Sequence, residues 1–248
     1  MQQYGRFAAV YDRLMADVDY NAWAEYLRGL LQQHAPSATT VLDCACGTGE
    51  ITLRLSQMGY AVTGLDVSAD MLYEAQQKCL RAGRRIPFVQ QDMRNIALHK
   101  PVDAIVCACD GVNYLTSAKD LAAFFCGAYQ ALSPGGLLLF DVSSAYKLSR
   151  VLGCNTFGED EADCAYLWKN YYDEASALCE MRLTFFVRQA NGGYERFTER
   201  HVQRAHQVTE LVDALQNSGF CAPLCYQAFT ADAPGETAQR IQMIAKRP

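Results

Sequence analysis

The sequence predicts an α/β protein: a seven-stranded, mostly parallel sheet with helices on both faces, joined to a small antiparallel β insert. Three observations carry this reading. Strand-length apolar runs alternate with amphipathic helical stretches from residue 40 to about 143. The strand runs are apolar almost throughout, as parallel strands buried on both faces are. After residue 144 the pattern switches to segments that alternate residue by residue, and then the α/β pattern resumes.

Taken in order, Phe7, Val10, Tyr11 and Leu14 recur at helical steps, and Trp23, Tyr26, Leu27, Leu30 and Leu31 repeat the pattern in a second helix. "TTVLDCA" reads as the first buried strand, "ITLRLSQMG" as a helix closed by Gly59, and "YAVTGLDVS" as the second strand. Ser68 supplies an N-cap hydroxyl for a helix running to about Arg81, where the basic cluster "RAGRR" around Gly83 offsets the carbonyl end of the helix. "IPFVQQD" and "VDAIVCACD" give strands three and four, residues 118–132 a helix stopped by Ser133-Pro134-Gly135-Gly136, and "LLLFDVS" strand five. An acidic loop (Glu159, Asp160, Glu161, Asp163), read as a solvated connection, leads to a meander of three segments, "AYLWKNYYD", "LCEMRLTFFVRQ" and "YERFTERHVQR". Residues 208–218 are helical in pattern, and "FCAPLCYQAF" and "RIQMIAKR" supply the last two strands. The organisation expected is an N-terminal helical lid (1–36), a ligand-binding core (37–144), the β insert (145–205) and the end of the core (206–248).

Composition excludes several classes. The chain has 248 residues, half of them apolar, enough to bury a full core. No apolar run approaches the roughly 20 residues of a membrane span, and no signal core follows Met1, so a cytoplasmic protein without membrane contact is expected. The eleven cysteines are odd in number and scattered through apolar segments, as buried reduced thiols are, and no CxxC pair suggests zinc. A net charge of -5 with dispersed basic residues argues against a nucleic-acid surface.

"VLDCACGTGE" (41–50) points to the ligand. Asp43 ends the first strand and a glycine-rich turn follows, the place where open α/β sheets bind ligands. Asp66 ends the second strand seventeen residues after Gly49, where a carboxylate accepts from ribose hydroxyls. A dinucleotide or an adenosyl sulfonium would both satisfy these features. The dinucleotide fingerprint wants a third glycine where Thr52 stands, and Glu50 at the helix start opposes a pyrophosphate, whereas a cationic sulfonium tolerates acidic strand ends. That favours S-adenosylmethionine.

With these residues in place, the whole chain resembles the class I S-adenosylmethionine-dependent methyltransferases, Rossmann-like enzymes, and in particular the bacterial small-molecule type. "YGRFAAVYD" (4–12) is similar to that type's Tyr-x-x-Phe-Ala-x-x-Tyr-Asp helix, and "VLDCACGTGE", "GLDVSADML", "QQDMRN", "DAIVCACDGVNYL" and "ALSPGGLLLFDV" follow in the family's order. The resemblance implies that Asp43 and the backbone of Ala45, Cys46, Gly47 and Gly49 hold the methionine part, and that Asp66 binds the ribose. It further implies that Val67 and Met71 flank the adenine, that Asp92 and the Met93 amide read its edge, that Cys109 lies beside the methionine moiety, and that Tyr4 shares in binding the cofactor. Ala45 replaces the family's first motif glycine, which requires that it keep φ negative.

Transfer itself needs alignment and exclusion of water more than an obligatory catalytic residue. Asp110, Asn113 and Tyr114 follow strand four. Asp110 is the candidate for orienting or deprotonating the acceptor, or else a loop-capping carboxylate. His201, in "ERHVQR", similar to a stretch of that family, titrates near neutrality when unperturbed and is either a participant or a structural histidine. Tyr11 is a further catalytic candidate, on the lid with Tyr4, unless both are core aromatics, and Trp168, Tyr171 and Tyr172 line the pocket or are plain sheet residues. "DVSS" lacks the Asp-Asn pair of metal-dependent O-methyl transfer, so no metal is expected. The expected reaction is methyl transfer to nitrogen or oxygen of a small-molecule acceptor, giving S-adenosylhomocysteine, by a monomer or homodimer. RNA or protein methylation, or cofactor binding without catalysis, are the alternatives.

Overall fold

The computed structural model describes residues 8, 11–12, 15–160 and 163–248. In chain order the elements of the core are α1 (Tyr20–His34), β1 (Thr40–Cys44), α2 (Glu50–Gln57), β2 (Ala61–Asp66), α3 (Ala69–Arg81), β3 (Phe88–Gln90), β4 (Val102–Cys107), α4 (Ala118–Ala131) and β5 (Leu132–Ser143). The insert follows as β6 (Thr156–Asp160), β7 (Cys164–Asp173), β8 (Leu178–Arg188) and β9 (Tyr194–Arg204), and the core closes with α5 (Val208–Asn217), β10 (Cys221–Gln227) and β11 (Arg240–Lys246).

The sheet order is β10-β11-β5-β4-β1-β2-β3, parallel from β5 to β3, with β11 antiparallel to β5 and β10 antiparallel to β11. Alternation sorts the side chains onto two faces. Leu42, Cys44, Ile105, Cys107, Leu138 and Phe140 face α4 and α5, while Val41, Val62, Ala104, Val106 and Leu139 face α1 and α2. Phe124, Phe125 and Phe140 are fully buried in the first layer, each contributing roughly 2–3 kcal/mol by removal of apolar surface from water. Three helix starts carry side-chain caps, Ser68 as expected: Asp19 accepts from Ala22 N at 2.8 Å, Ser68 from Met71 N at 3.3 Å and Ser117 from Asp120 N at 3.1 Å. Gly83 ends the "RAGRR" turn with φ 70°.

Two elements differ from the sequence expectation. β5 begins at Leu132, so the Ser-Pro-Gly-Gly segment joins the strand instead of standing apart from it. The insert has four strands, not three: Thr156–Asp160 pairs with β7 as an edge strand, Glu159 lying opposite Tyr166. All five of its residues are exposed, so no buried face imposed the alternation that would have revealed it. Glu159 and Asp160 are therefore solvated on a strand and Asp163 in a bend, while Glu161 falls outside the described residues.

The inner face of the insert closes over the core. Cys164 and Phe185 pack with Ala8 and Met71, and Tyr11, Tyr166 and Phe197 complete that cluster. Ala8 and Tyr11 are thus held between insert and core. Among the described residues no helix is long and apolar enough to cross a membrane. All eleven cysteines are free; Cys126, Cys154 and Cys221 are exposed, against the expectation of burial.

Candidate active site

A cavity of about 310 Å³ opens at the carboxyl ends of β1, β2 and β4. Its first end is built by strand termini. Asp43, 2% exposed, accepts from the Thr52 hydroxyl of α2 at 2.5 Å, and burial pushes its carboxyl up to about 7 against that hydrogen bond. Past Cys44 the chain turns through three left-handed residues, Ala45 (φ 54°), Gly47 (φ 53°) and Gly49 (φ 77°). Ala45 therefore departs from the expected negative φ: the turn keeps its shape and a Cβ is carried into the left-handed region. Gly49 has no such latitude, because a Cβ there would lie 2.9 Å from Ala75 Cβ.

Asp66 ties this turn to the next strand. One carboxylate oxygen accepts from Gly47 N at 2.9 Å and the other from Ser68 N at 2.8 Å, which leaves each oxygen lone-pair capacity toward the cavity. Burial raises its carboxyl above the usual range despite both hydrogen bonds. Val67, half exposed, and buried Met71 form the wall beyond it, with Met93 opposite. Asp92 also lines this end, but Arg94 Nε lies 2.9 and 3.0 Å from its two oxygens, and Arg94 holds its carboxyl below the ordinary value. Arg94 also donates to Asp120 at 3.1 Å. Asp92 is thus shared between this guanidinium and the cavity.

The second end lies past β4, lined by Tyr11, Tyr20, Cys109 and Tyr114. Cys109 (φ 60°) and Asp110 (φ 58°) are consecutive left-handed residues. A buried charge network holds them. Asp110 N donates to Asp141 at 3.0 Å, Arg240 lies 2.9 Å from one Asp110 oxygen, and Gln203 Nε2 donates to the other at 2.7 Å. Arg240 also bonds the fully buried Asp141, whose carboxyl burial raises, and it stacks 5.4 Å from the Trp23 ring. Asp110 is consequently a junction of β4, β9 and β11, and its carboxylate does not line the cavity.

The other acceptor-side candidates divide. Tyr11 and Tyr114 line the cavity; Tyr11 hydrogen-bonds Tyr20, and burial raises both the Tyr11 and Tyr20 phenols. His201 Nδ1 lies 3.2 Å from Tyr114 Oη, but burial pushes the imidazole down to about 4, so the expectation that it titrates near neutrality is corrected. Asn113 is fully buried and spends its amide on Ser143 and Arg204 backbone groups at 2.9–3.0 Å, which fastens the insert to the core rather than facing the cavity. Trp168 and Tyr172 pack with Leu148, Leu152 and Cys179, away from the cavity lining. Tyr4 lies outside the described residues. Sequence reasoning missed Tyr20, Gln203 and Arg240. Tyr20 carries a weak signal, as the residue after the Asp19 cap, and Arg240 carries none.

Comparison with known proteins agrees with this architecture. Residues 41–136 match the methyltransferase domain family. The chain is 38% identical over 247 residues to a Bacillus subtilis protein named "Putative methyltransferase YqeM", covering 98% of this chain and 97% of that one. The crystal structure of an S-adenosylmethionine-dependent methyltransferase from Clostridium acetobutylicum superposes with a TM-score of 0.89 at 32% identity, over 98% of both chains. Half of the chain is 32% identical to half of a dTDP-3-amino-3,4,6-trideoxy-alpha-D-glucopyranose N,N-dimethyltransferase from Streptomyces venezuelae. Strand order, glycine turn and full-length relatives together make this chain a member of the class I S-adenosylmethionine-dependent methyltransferases.

Proposed function

We propose that the enzyme transfers the methyl group of S-adenosylmethionine to the nitrogen of a small amine. The observation that carries this is the state of the two candidate bases at the Tyr114 end. Asp110 is occupied by Arg240 and Gln203, and burial disfavours the imidazolium that His201 would become on taking a proton. A hydroxyl acceptor needs a base in the transition state, whereas the neutral fraction of an amine is already a nucleophile. The amino-sugar relative from Streptomyces venezuelae, named as an N,N-dimethyltransferase, supports the same reading.

The residues fit the cofactor. Among the described residues no cation pairs with the buried Asp43, which suits it to the methionine ammonium. Asp66 has lone pairs left for two ribose hydroxyls, and Val67, Met71 and Met93 supply an apolar slot for adenine. The bound cofactor supplies an activated methyl on a sulfonium. The chain's own part is to hold the acceptor nitrogen in line with it. Transfer would leave an N-methyl ammonium and S-adenosylhomocysteine, and the ammonium proton would pass to water. Tyr11, Tyr20 and Tyr114 offer hydroxyl oxygens that orient an N–H group, with phenols of Tyr11 and Tyr20 too basic to titrate.

The test is incubation with methyl-labelled S-adenosylmethionine and a cell extract split into small-molecule, RNA and protein fractions. Label in a small amine, with kcat/KM rising with pH along the acceptor's own ionisation, is the expected result. Label confined to RNA or protein, or an O-methyl product, overturns it. Asp66→Ala serves as the control, weakening cofactor binding about a hundredfold, roughly 3 kcal/mol for two lost hydrogen bonds to a charged acceptor.

A further inference from the structure

We propose that Arg94 is a positioning residue for the cofactor's base: its guanidinium fork holds the Asp92 carboxylate with one acceptor site left toward the cavity, and so sets a preference for a 6-amino purine over a 6-oxo one. The inference rests on reading the cavity as the S-adenosylmethionine site with adenine at the Met93 end. Asp92, Met93, Arg94, Thr116 and Asp120 all line the cavity. Met93–Asn95 forms a single tight turn capped by Asp92. Within it, one residue supplies most of what the carboxylate accepts. Arg94 N donates to Oδ1 at 2.9 Å, Nε is shared between Oδ1 and Oδ2 at 2.9 and 3.0 Å, and Nη2 donates to Oδ2 at 2.5 Å. An ionised carboxylate offers about four lone-pair sites, so these three donors leave about one for a ligand.

The fork is anchored at its far side. Nη1 reaches Asp120 Oδ1 at 3.1 Å, and Asp120 is itself held in the first turn of α4, where its Oδ2 accepts from Ser117 Oγ at 2.8 Å and its amide donates to the same oxygen at 3.1 Å. Met93 and Ile96 pack on the core layer that holds Phe124 and Phe125 of α4, so the tight turn has a rigid backing. One guanidinium thus joins two cavity-lining segments, the turn after β3 and the start of α4. The chemistry follows from its charge. Arg94 holds the Asp92 carboxyl below the ordinary carboxylate value, so Asp92 remains an acceptor and has no proton to donate. An acceptor at this place bonds the exocyclic amine of adenine and repels the carbonyl oxygen that hypoxanthine carries there. Lysine would supply the charge without the planar fork. Exposed ion pairs add little to stability, and Arg94 is 45% exposed, so its effect belongs in ligand preference more than in folding.

The experiment is calorimetry on the full-length enzyme with S-adenosylhomocysteine and with S-inosylhomocysteine, its 6-oxo counterpart. The wild type should prefer the adenosyl compound by about a hundredfold, the scale of one hydrogen bond to a charged acceptor. Arg94→Met should lower that ratio to about tenfold, by weakening the adenosyl compound and sparing the inosyl one. Arg94→Lys should recover only part of the loss. Asp120→Asn, which removes the charge at the far side while Asp92 keeps its fork, should lower the ratio by about threefold or less. A folded Arg94→Met protein with the wild-type ratio, or one that loses both compounds equally, overturns the proposal, and so does full restoration by lysine or a wild type that does not discriminate. If the methionine variant fails to fold, Arg94→Lys and Asp120→Asn decide, and wild-type ratios in both overturn it. A wild type that binds neither compound is a different result, which removes the cofactor reading underneath.

Discussion

The two ends of the cavity are built on different principles. The end holding Asp43, Asp66 and Met93 comes from three short stretches at the carboxyl ends of core strands, with the two carboxylates set by hydrogen bonds to the glycine turn, to α2 and to Ser68. The end holding Tyr11, Tyr20, Cys109 and Tyr114 is fixed from behind, by Gln203 and His201 on β9 and Arg240 on β11. A ligand common to a family is served by the part of the fold that the sheet dictates. The Tyr114 end, where the proposed acceptor would sit, is held by contacts between distant elements, which an altered insert can change without disturbing the sheet.

The sharpest way to break this division is Arg240→Met. Removing the guanidinium leaves Asp110 and Asp141 facing each other in a buried site, which costs about 3–5 kcal/mol for an uncompensated buried charge. Chemical denaturation should show that loss at neutral pH, with partial recovery in acid as the buried Asp141, whose carboxyl is already raised, protonates. Turnover should fall with it, because Cys109 and Asp110 lose the network that holds their left-handed backbone. Cofactor affinity measured by calorimetry should change less than about threefold, the scale of weak coupling between separate sites. Equal losses at both ends would mean that the two halves are one cooperative unit.

Legibility followed the same division. Asp43 and Asp66 could be read from the sequence because a strand's apolar period stops at them, and Ser68 because a hydroxyl precedes a helical period. The network behind Asp110 could not, because nothing near Arg240 or Gln203 in sequence refers to residue 110; only the sheet order and the docking of the insert bring them together. β6 escaped because a fully exposed edge strand buries no face. His201 was misjudged through its environment: the residue type suggests neutral titration, and burial, which a sequence does not display, removes it.

The cofactor end makes its own prediction through Asp43. Its carboxyl is raised to about 7 by burial, so the folded protein holds this proton more tightly than the unfolded chain does. The stability it contributes is full in acid, below the unfolded carboxylate pKa, and is lost as pH rises toward 7. An ammonium bound beside it favours the ionised form, so cofactor binding should release a proton and strengthen with pH below 7, by up to about tenfold per unit for one linked proton. Calorimetry in two buffers of different ionisation enthalpy measures that proton directly. Asp43→Asn should flatten both dependences. A wild-type affinity that is flat with pH would mean that Asp43 does not meet the ammonium.

The smallest effect concerns the turn itself. Ala45, Cys109 and Asp110 are left-handed without being glycines, and all three stand at or beside the cavity. For Ala45 the left-handed backbone costs about 1–2 kcal/mol relative to a glycine, partly offset because glycine loses more chain entropy on folding. The Cβ also has a neighbour, since one added at Gly111 would lie 3.1 Å from it. Ala45→Gly should therefore raise stability by about 1 kcal/mol or less, read by denaturant midpoint. If cofactor affinity falls at the same time, the alanine trades stability for a turn held rigid before the ligand arrives, as strained residues at binding sites do. If stability rises and affinity is untouched, the strain at Ala45 is a tolerated replacement, and rigidity at this end is supplied by Asp66 and Gly49 alone.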